Sequence, residues 1–312
     1  MPRCWVIGDA AVDLIPEGDT YLKLPGGTGA NVAVALSRLG VSSALICKLG
    51  NDPPAAFLTD VFERERVDTQ HVSTTERCKT SLIIVSIDDS GERDFTFMVN
   101  PSADSQLEIS DIPAFEQGDW LCVSAFILAQ PSSREATFFA MTQAKMAGSF
   151  VCIDANTRVD VWDDESIAIP RTLEALKSAD IAKMSEHELL LLTNTDSIEE
   201  GIKDAKQWPA KIKIITRAEK GAVLLTEQSE FHVEGYNVPV VDMTGAGDAF
   251  FAALISKLWP LESLTDDHLI EAIEFANACG ALVVEKKGAM SALPDLGTVN
   301  KFMLEKKSEC RQ

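Results

Sequence analysis

The chain has 312 residues, of which 46% are hydrophobic, and its formal net charge is −20. A chain this acidic repels nucleic acid and anionic membranes, which excludes both as partners. ATP is not excluded, because it brings its own Mg²⁺ and is bound by a few local donors. The seven cysteines have no C-x-x-C or metal-ligand spacing, and we find no signal peptide and no apolar run of about 18 residues. We therefore expect a cytoplasmic protein with reduced cysteines.

Short apolar runs alternate with longer helical patterns along most of the chain. The runs predict strands at 4–7, 43–49, 120–124, 150–154, 181–183 and 212–216. The longer patterns predict helices at 32–39, 53–66, 132–147, 167–177, 186–193, 248–258 and 267–284. Alternation at this spacing is typical of parallel strands covered by helices on both faces, so we predict an α/β fold.

Two stretches break this alternation. Residues 11–23 are short and strand-like, and residues 80–99 contain two alternating strands around the turn signature Asp88-Asp89-Ser90-Gly91. This hairpin has no helix to cover it, so we expect it to project from the main sheet.

Polar residues on two loops follow the first predicted strand. Asp9 and Asp13 come after it, and the segment PGGTGAN ends in Asn31 at the start of a helix. These short side chains are suited to hydrogen-bonding a polyhydroxylated ligand. Taken singly, the acids are more typical of turns and Asn31 of a helix cap. Their occurrence as a set favours the ligand.

The segment DMTGAGD, residues 242–248, opens onto the apolar run 249–258. The first N–H groups of a helix have no intrahelical partner and lie at the positive end of its dipole, and Gly245 and Gly247 would let an anion approach the backbone. Asp248 would take a proton from an attacking hydroxyl. An isolated motif of this kind is equally typical of a glycine-rich connection with an acid in the first helical turn.

The two motifs together resemble the PfkB (ribokinase-like) family of carbohydrate kinases, in the expected order and separation. Further matching stretches are DANTR at 154–158, KMS at 183–185 with Glu188, TRAEKG at 216–221, and NACG at 277–280 before KGA at 287–289. The resemblance is strongest to bacterial fructokinases and aminoimidazole riboside kinases. It implies a three-layer α/β/α sandwich in one domain, residues 1–312, with a small β lid formed by about 11–24 and 78–104. The lid also implies a homodimer.

The resemblance assigns roles in the transfer step and in sugar binding. Asp248 would be the general base, and the anion hole would be formed by Gly245, Ala246 and Gly247. Arg158 would reach the sugar or the phosphate. The remaining residues that would hold the sugar are Asp9, Asp13, Gly26, Gly27, Asn31 and Phe97. A phenylalanine on its own is more often a core residue, and only the position of Phe97 on the predicted hairpin makes a lid role equally favoured.

The same resemblance implies binding sites for ATP and for cations. The ATP loop would consist of Thr216, Arg217, Ala218, Glu219, Lys220 and Gly221, and the same cleft would be lined by Asn156, Lys183, Glu188, Gly247 and Asn277. Glu188 would organise Mg²⁺ through water. An activating K⁺ would lie beside the anion hole near Asp242, Thr244, Lys286, Gly288 and Ala292, bound largely by carbonyl oxygens.

Three departures from the family pattern stand out. Gly50-Asn51-Asp52 continues as Pro53-Pro54-Ala55, Ser185 replaces an asparagine, and Ala218 replaces a glycine. Ala218 would therefore have to adopt a backbone geometry that glycine normally provides.

The favoured function is phosphorylation of D-fructose at its 6-hydroxyl by ATP. The alternatives are another kinase of the family, acting on aminoimidazole riboside, ribose, a nucleoside or 2-keto-3-deoxygluconate, and a catalytically silent sugar sensor. A Rossmann dehydrogenase is excluded because no G-x-G-x-x-G follows the first strand, and the Walker A pattern is also absent. The proposed phosphoryl transfer would therefore proceed without a P-loop.

Overall fold

The computed structural model describes residues 2–87, 93–259 and 264–309. Its strands are β1 (Cys4–Ile7), β2 (Ala11–Glu17), β3 (Thr20–Gly26), β4 (Ser43–Gly50), β5 (Asp68–Thr75), β6 (Ser81–Ile87), β7 (Arg93–Phe97), β8 (Trp120–Ser124), β9 (Phe150–Asp154), β10 (Ile181–Ser185), β11 (Ile212–Thr216), β12 (Ala222–Leu225) and β13 (Glu230–Val233). Its helices are α1 (Thr28–Arg38), α2 (Pro53–Arg64), α3 (Pro131–Met146), α4 (Ala168–Ser178), α5 (Glu186–Thr193), α6 (Ile198–Ala205), α7 (Ala246–Leu258), α8 (Asp266–Val284) and α9 (Leu296–Glu309).

The main sheet has nine strands in the order β13-β12-β11-β10-β9-β8-β1-β4-β5. Neighbouring strands from β11 to β5 pair in parallel, whereas β12 and β13 add an antiparallel edge. The predicted mostly parallel sheet is confirmed. Because parallel strands end at one edge, the loops after β1, β8, β9 and β10 meet there, and this is where α/β folds bind ligands.

Two apolar cores lie on opposite faces of this sheet. Along β1, Val6 packs into the core with α1, α2, α7, α8 and α9, whereas Ile7 packs into the core with α3, α4, α5 and α6. Successive side chains of a strand point to opposite faces, so an unbroken apolar run can supply both cores. The three-layer α/β/α architecture predicted from the resemblance is confirmed.

A second sheet of four strands has the order β3-β2-β6-β7. β2 pairs antiparallel with β3 and parallel with β6, and β6 pairs antiparallel with β7. The stretch 11–23 is therefore two strands, because the chain turns at Gly18, whose φ is 60°. The predicted turn at 88–91 lies outside the described residues. The single-domain assignment stays a prediction.

The elements without a counterpart in the predicted strands and helices include β5, β13, α6 and α9. β5 reads DTQHVSTT and is only half-buried, so it lacks the apolar signature of the other parallel strands. No helix in the described parts of the chain is both long and apolar enough to cross a membrane.

Candidate active site

Helix α7 begins at the glycine-rich motif near the C-terminus. Gly245 precedes its first turn with φ 80°, and a Cβ on that residue would come within 2.8 Å of the Ala289 Cβ. Only glycine combines this backbone with so close a neighbour. The helix starts at Ala246, two residues earlier than predicted, so the amides of Ala246, Gly247 and Asp248 belong to its first turn. Such amides form a site for an anion.

Asp248 lies in that first turn and is buried. The side-chain amide of Asn31 donates a hydrogen bond to its carboxylate at 2.8 Å, across 217 positions of sequence. Burial raises the pKa of Asp248 to about 7; the bond from Asn31 and the charge of Lys183 lower it, while Asp154 and Asp9 raise it further. A carboxylate that titrates near neutral pH is suited to accept a proton from a hydroxyl. The other amide atom, Asn31 Oδ1, is buried without a hydrogen-bond partner.

The start of α1 is held by Asp9. One of its carboxylate oxygens accepts hydrogen bonds from the Thr28 amide at 3.0 Å, the Thr28 hydroxyl at 2.7 Å and the Gly29 amide at 3.3 Å. Gly27 permits this with φ 94°, since a Cβ there would lie 2.6 Å from the Ala10 Cα. The helix therefore begins at Thr28 rather than at 32. Asp9 thus ties the loop after β1 to the start of α1, and Asn31 lies inside the helix rather than at its cap.

Asp13 and Gly26 lie on the neighbouring strands β2 and β3, two positions apart in the register, where Gly26 pairs with Ala11. A Cβ on Gly26 would lie 2.3 Å from Asp13 Oδ2, so the carboxylate lies directly over the glycine. This brings Asp13 to the beginning of the loop that contains Gly27. The N-terminal polar residues predicted to hold a sugar thus surround the start of α1, and Asn31 connects them to Asp248.

Aromatic side chains of the small sheet meet the loop after β8. The rings of Phe97 and Phe126 stack with their centroids 6.2 Å apart. The Arg158 guanidinium lies 5.4 Å from the centroid of Phe95, so it contacts the same strand, β7. A cavity of about 190 Å³ adjoins this region and is lined by Phe97, Phe126, Asp104 and Trp162, among others. Phe97 is half-buried at a sheet edge rather than in either main core.

A buried ion pair beside α7 joins Lys183, which the resemblance assigns to the ATP cleft, to Asp154, to which it assigns no role. Lys183 Nζ donates to both carboxylate oxygens of Asp154, at 2.9 and 2.8 Å, and both side chains are only 5% exposed. A Cβ on Gly247 would lie 3.2 Å from Lys183 Nζ. The sequence pattern does not identify this role of Asp154, because its partner is on another strand. Opposite charges at the ends of consecutive parallel strands were the signal that could have identified it.

Glu188 and Asn156 connect the strand ends around this pair. Glu188 accepts hydrogen bonds from the Thr157 amide at 2.7 Å and from both the amide and the hydroxyl of Ser185, at 2.7 and 2.8 Å. It forms a capping box with Ser185 at the start of α5. Asn156 has φ 29° and donates to Ser124 Oγ at 3.2 Å. Its amide therefore faces the start of α1, where Thr28 also contacts Ser124.

The end of β11 and the loop from β11 to β12 contain the six residues predicted to contact ATP. It includes a short 3₁₀ turn at Ala218–Lys220, and Ala218 has φ 51°, the left-handed geometry expected where glycine was replaced. Arg217 pairs with Glu186 of α5 at 2.8 Å, and Thr216 donates to the Met184 carbonyl at 3.4 Å. Asn277 of α8 is buried and donates to the Glu234 carbonyl at 3.0 Å, so it fixes the chain that leaves β13.

Asp242 ties together the two loops of the predicted cation site. Its carboxylate accepts from the amide and hydroxyl of Thr244, at 3.0 and 2.8 Å, and from the Gly288 amide at 2.6 Å. Lys286 and Ala292 flank this second loop, and their amides bond locally to Val283 and Ala289. Within the described ranges, no three His, Cys, Asp or Glu side chains are grouped to hold a metal. A cation here would depend on backbone oxygens, which suits a hard monovalent ion.

A helix start that can bind an anion and a buried carboxylate that titrates near neutral pH are what phosphoryl transfer to a hydroxyl requires. With the covered parallel sheet and the small second sheet, they define a ribokinase-like kinase. The family model described as pfkB family carbohydrate kinase matches residues 1–296, and the chain belongs to this family.

Relatives within the family match nearly the whole chain. The fructokinase of Vibrio alginolyticus is 41% identical over 305 residues, covering 97% of this chain and 99% of its own. Two structures of Vibrio cholerae O395 fructokinase share 43% identity, 97% coverage of this chain and a TM-score of 0.93; they cover 99% and 98% of their own chains. One contains fructose, ADP and a calcium ion, and the other, a double mutant, contains fructose, ADP and a potassium ion.

Another similar structure is that of a riboside kinase. The aminoimidazole riboside kinase of Salmonella enterica, complexed with aminoimidazole riboside and an ATP analogue, is 36% identical. It covers 96% of this chain and 99% of its own, with a TM-score of 0.91. The family and branch inferred from the two glycine-rich motifs are therefore confirmed.

Proposed function

We propose that this protein is an ATP-dependent fructokinase that transfers the γ-phosphoryl group of ATP to the 6-hydroxyl of D-fructose. The observation that carries the proposal is the hydrogen bond between Asn31 and the buried carboxylate of Asp248. It joins the sugar-binding motif to the motif at the start of α7. The near-complete match to fructokinases supports fructose as the acceptor.

In this mechanism Asp248 accepts the proton of the sugar hydroxyl as its oxygen attacks the γ-phosphorus. The bond from that phosphorus to the ADP oxygen breaks as the new bond forms. The amides of Gly245, Ala246 and Gly247 stabilise the charge on the transferring group. Asn31 holds Asp248 with its amide N–H, and its buried Oδ1 remains able to accept a bond from a second sugar hydroxyl.

The remaining contacts of the sugar extend this scheme. Asp13, Gly26 and Gly27 would hold hydroxyls beside the start of α1, with Asp9 fixing that helix. Phe97 would cover the sugar, and Arg158 would leave the Phe95 ring to approach its anionic product. These roles are supported by the way the small sheet brings Phe97 and Phe95 to the same edge as Arg158.

For the nucleotide, Lys183 would contact the phosphates, and the loop at 216–221 together with Asn156 and Asn277 would line its cleft. Mg²⁺ would enter with ATP and neutralise phosphate charge, as Mg²⁺ does in phosphoryl transfer. Glu188 already accepts three hydrogen bonds, so we propose that it acts on the ion through water. K⁺ beside Asp242 would stabilise the two loops that flank the anion hole.

We further propose that the protein forms a homodimer through the small sheet and works in the cytoplasm. β3 is an edge strand of that sheet, and its Tyr21 and Leu22 are exposed, at 54% and 45%. An exposed apolar edge favours pairing with a second copy. The cysteines among the described residues are all free, and all but Cys78 are buried, as suits a reducing compartment. Sedimentation velocity tests the dimer.

The experiment that tests the activity is an ADP-release assay over a panel of sugars and ribosides. We expect D-fructose to have the highest kcat/KM and the product to carry phosphate on its 6-hydroxyl. Aminoimidazole riboside is the second candidate because of the 36% identical riboside kinase. A higher kcat/KM on that riboside would transfer the assignment to it, and inactivity on all hexoses would refute fructokinase activity.

A further inference from the structure

Asp154 and Lys183 are neighbours in the parallel ladder between β9 and β10. Their ion pair is bidentate, and both side chains lie among the buried strand ends. Burial disfavours the charged form of Lys183, but the negative charges of Asp154 and Glu188 favour it more strongly. The pKa of the ammonium is therefore raised, and Lys183 stays protonated. Burial raises the pKa of Asp154 to about 6, against the attraction of Lys183.

Stability alone does not account for such a pair. Removing two charges from water is costly, and apolar residues of similar size are often at least as stabilising. The pair interrupts two apolar strands, FVCID and IAKMS, at the edge where the anion hole lies. Its position suggests that the charge is retained for chemistry.

The geometry identifies where the ammonium is held. A Cβ on Gly247 would lie only 3.2 Å from Lys183 Nζ, so the ammonium lies against the first turn of α7. Lys183 also interacts electrostatically with Glu188 and Asp248. A lysine has a flexible four-carbon stem, so without a tether it could turn toward either of these carboxylates. Pairing with Asp248 would neutralise the base.

We propose that Asp154 is a positioning residue for phosphoryl transfer, which holds the Lys183 ammonium at Gly247 and away from Asp248. This inference rests on the proposed function. The transferring phosphoryl group would then meet a fixed positive charge beside the helix amides. Lys183 keeps its proton throughout, since the proton of the sugar hydroxyl goes to Asp248. Asp154 acts only through Lys183.

A double-mutant cycle tests this dependence, using D154N, K183M and D154N/K183M. We expect K183M to lower kcat about 100-fold, the scale for loss of one preorganised donor, and D154N to lower it at least about tenfold. Because Asp154 acts through Lys183, the double variant should match K183M within about twofold. If D154N does not fold, because it leaves the buried Lys183 ammonium unpaired, the kcat of K183M is compared with that of the double variant, which carries neither charge. This comparison alone still tests whether Asp154 acts only through Lys183.

A second measurement separates positioning from a merely structural role. For the wild type and D154N, we would titrate ADP alone and ADP with aluminium fluoride and fructose. Aluminium fluoride imitates the transferring phosphoryl group, so D154N should weaken the second complex in proportion to its loss of kcat and leave the ADP Kd unchanged. Equal weakening of both complexes would mean that Asp154 only supports the fold.

The chain offers a matched control in the buried pair Lys48–Asp111. Its atoms are 2.7 Å apart, and the two side chains are 9% and 12% exposed. D111N should lower the Tm as D154N does and leave kcat unchanged. A double variant at least tenfold slower than K183M, or a D154N enzyme with normal kcat, would overturn the proposal. If the wild type phosphorylates no sugar, it is the proposed function that fails.

Discussion

Replacing Asn31 with leucine should move the acid limb of the pH–rate profile to higher pH. Asn31 donates a 2.8 Å hydrogen bond to the buried carboxylate of Asp248, whose pKa is raised to about 7. Asp248 works as a base only when ionised, so the wild-type kcat/KM should rise with pH up to about 7 and then level off. The hydrogen bond stabilises the ionised form, so its loss raises the pKa further.

The size of the shift follows from the strength of that bond. A hydrogen bond to a charged group contributes about 1.5–3 kcal/mol, and one pH unit corresponds to about 1.4 kcal/mol. N31L should therefore move the limb upward by about one to two pH units. Lys183, Asp154 and Asp9, which also act on this carboxylate, stay in place.

The assay measures kcat/KM for fructose from about pH 5.5 to about 9.5, because the pH dependence of kcat/KM reports the pKa values of the essential groups in the free enzyme. The control is N51L. Asn51 donates to the exposed carboxylate of Glu76, so this substitution also removes a hydrogen bond from an asparagine to a carboxylate, but one that does not involve Asp248. N51L should keep the wild-type profile. An N31L limb at the wild-type pH would refute the role of Asn31 and the assignment of the limb to Asp248.

Two further outcomes follow from the loops around the anion hole. G245A should lower kcat at least about tenfold and should lower the Tm, because an alanine with φ 80° is strained and its Cβ would lie 2.8 Å from Ala289. The control is G297A, whose Cβ would meet Asp295 at an ordinary 3.5 Å. It should change neither kcat nor the Tm. Normal activity of G245A would show that catalysis does not need the close packing of Gly245 against Ala289. The rate in KCl should exceed that in NaCl at equal ionic strength, and equal rates would remove the proposed K⁺ site beside Asp242.

The fold and the two main motifs could be predicted because their signals are local. Buried parallel strands are short apolar runs, and the helix start at Gly245 needs residues that permit close approach and a positive φ. A resemblance that spans the chain then placed Asn31 and Asp248 in one site. The structure adds the 2.8 Å bond that joins them.

What could not be predicted depends on pairing between distant segments. Asp154 and Lys183 meet only because β9 and β10 are adjacent and in that register. Asp9 was a ligand or a turn former by residue type, and the close packing of Gly27 on Ala10 brings the Thr28 and Gly29 amides to its carboxylate. The half-polar strand β5 and the second strand within 11–23 have no apolar signature strong enough to separate them from loops.

The central claim is that Asp248 is the base, and D248N tests it most directly. Its turnover of fructose should fall by several orders of magnitude while fructose and ATP bind with near-normal Kd. The pKa of Asp248 rises from 3.8 to about 7 on folding, so the folded state loses stability as pH rises through that interval, by up to about 4 kcal/mol. D248N should therefore also have a higher Tm at about pH 8. Turnover near the wild-type rate would contradict the account.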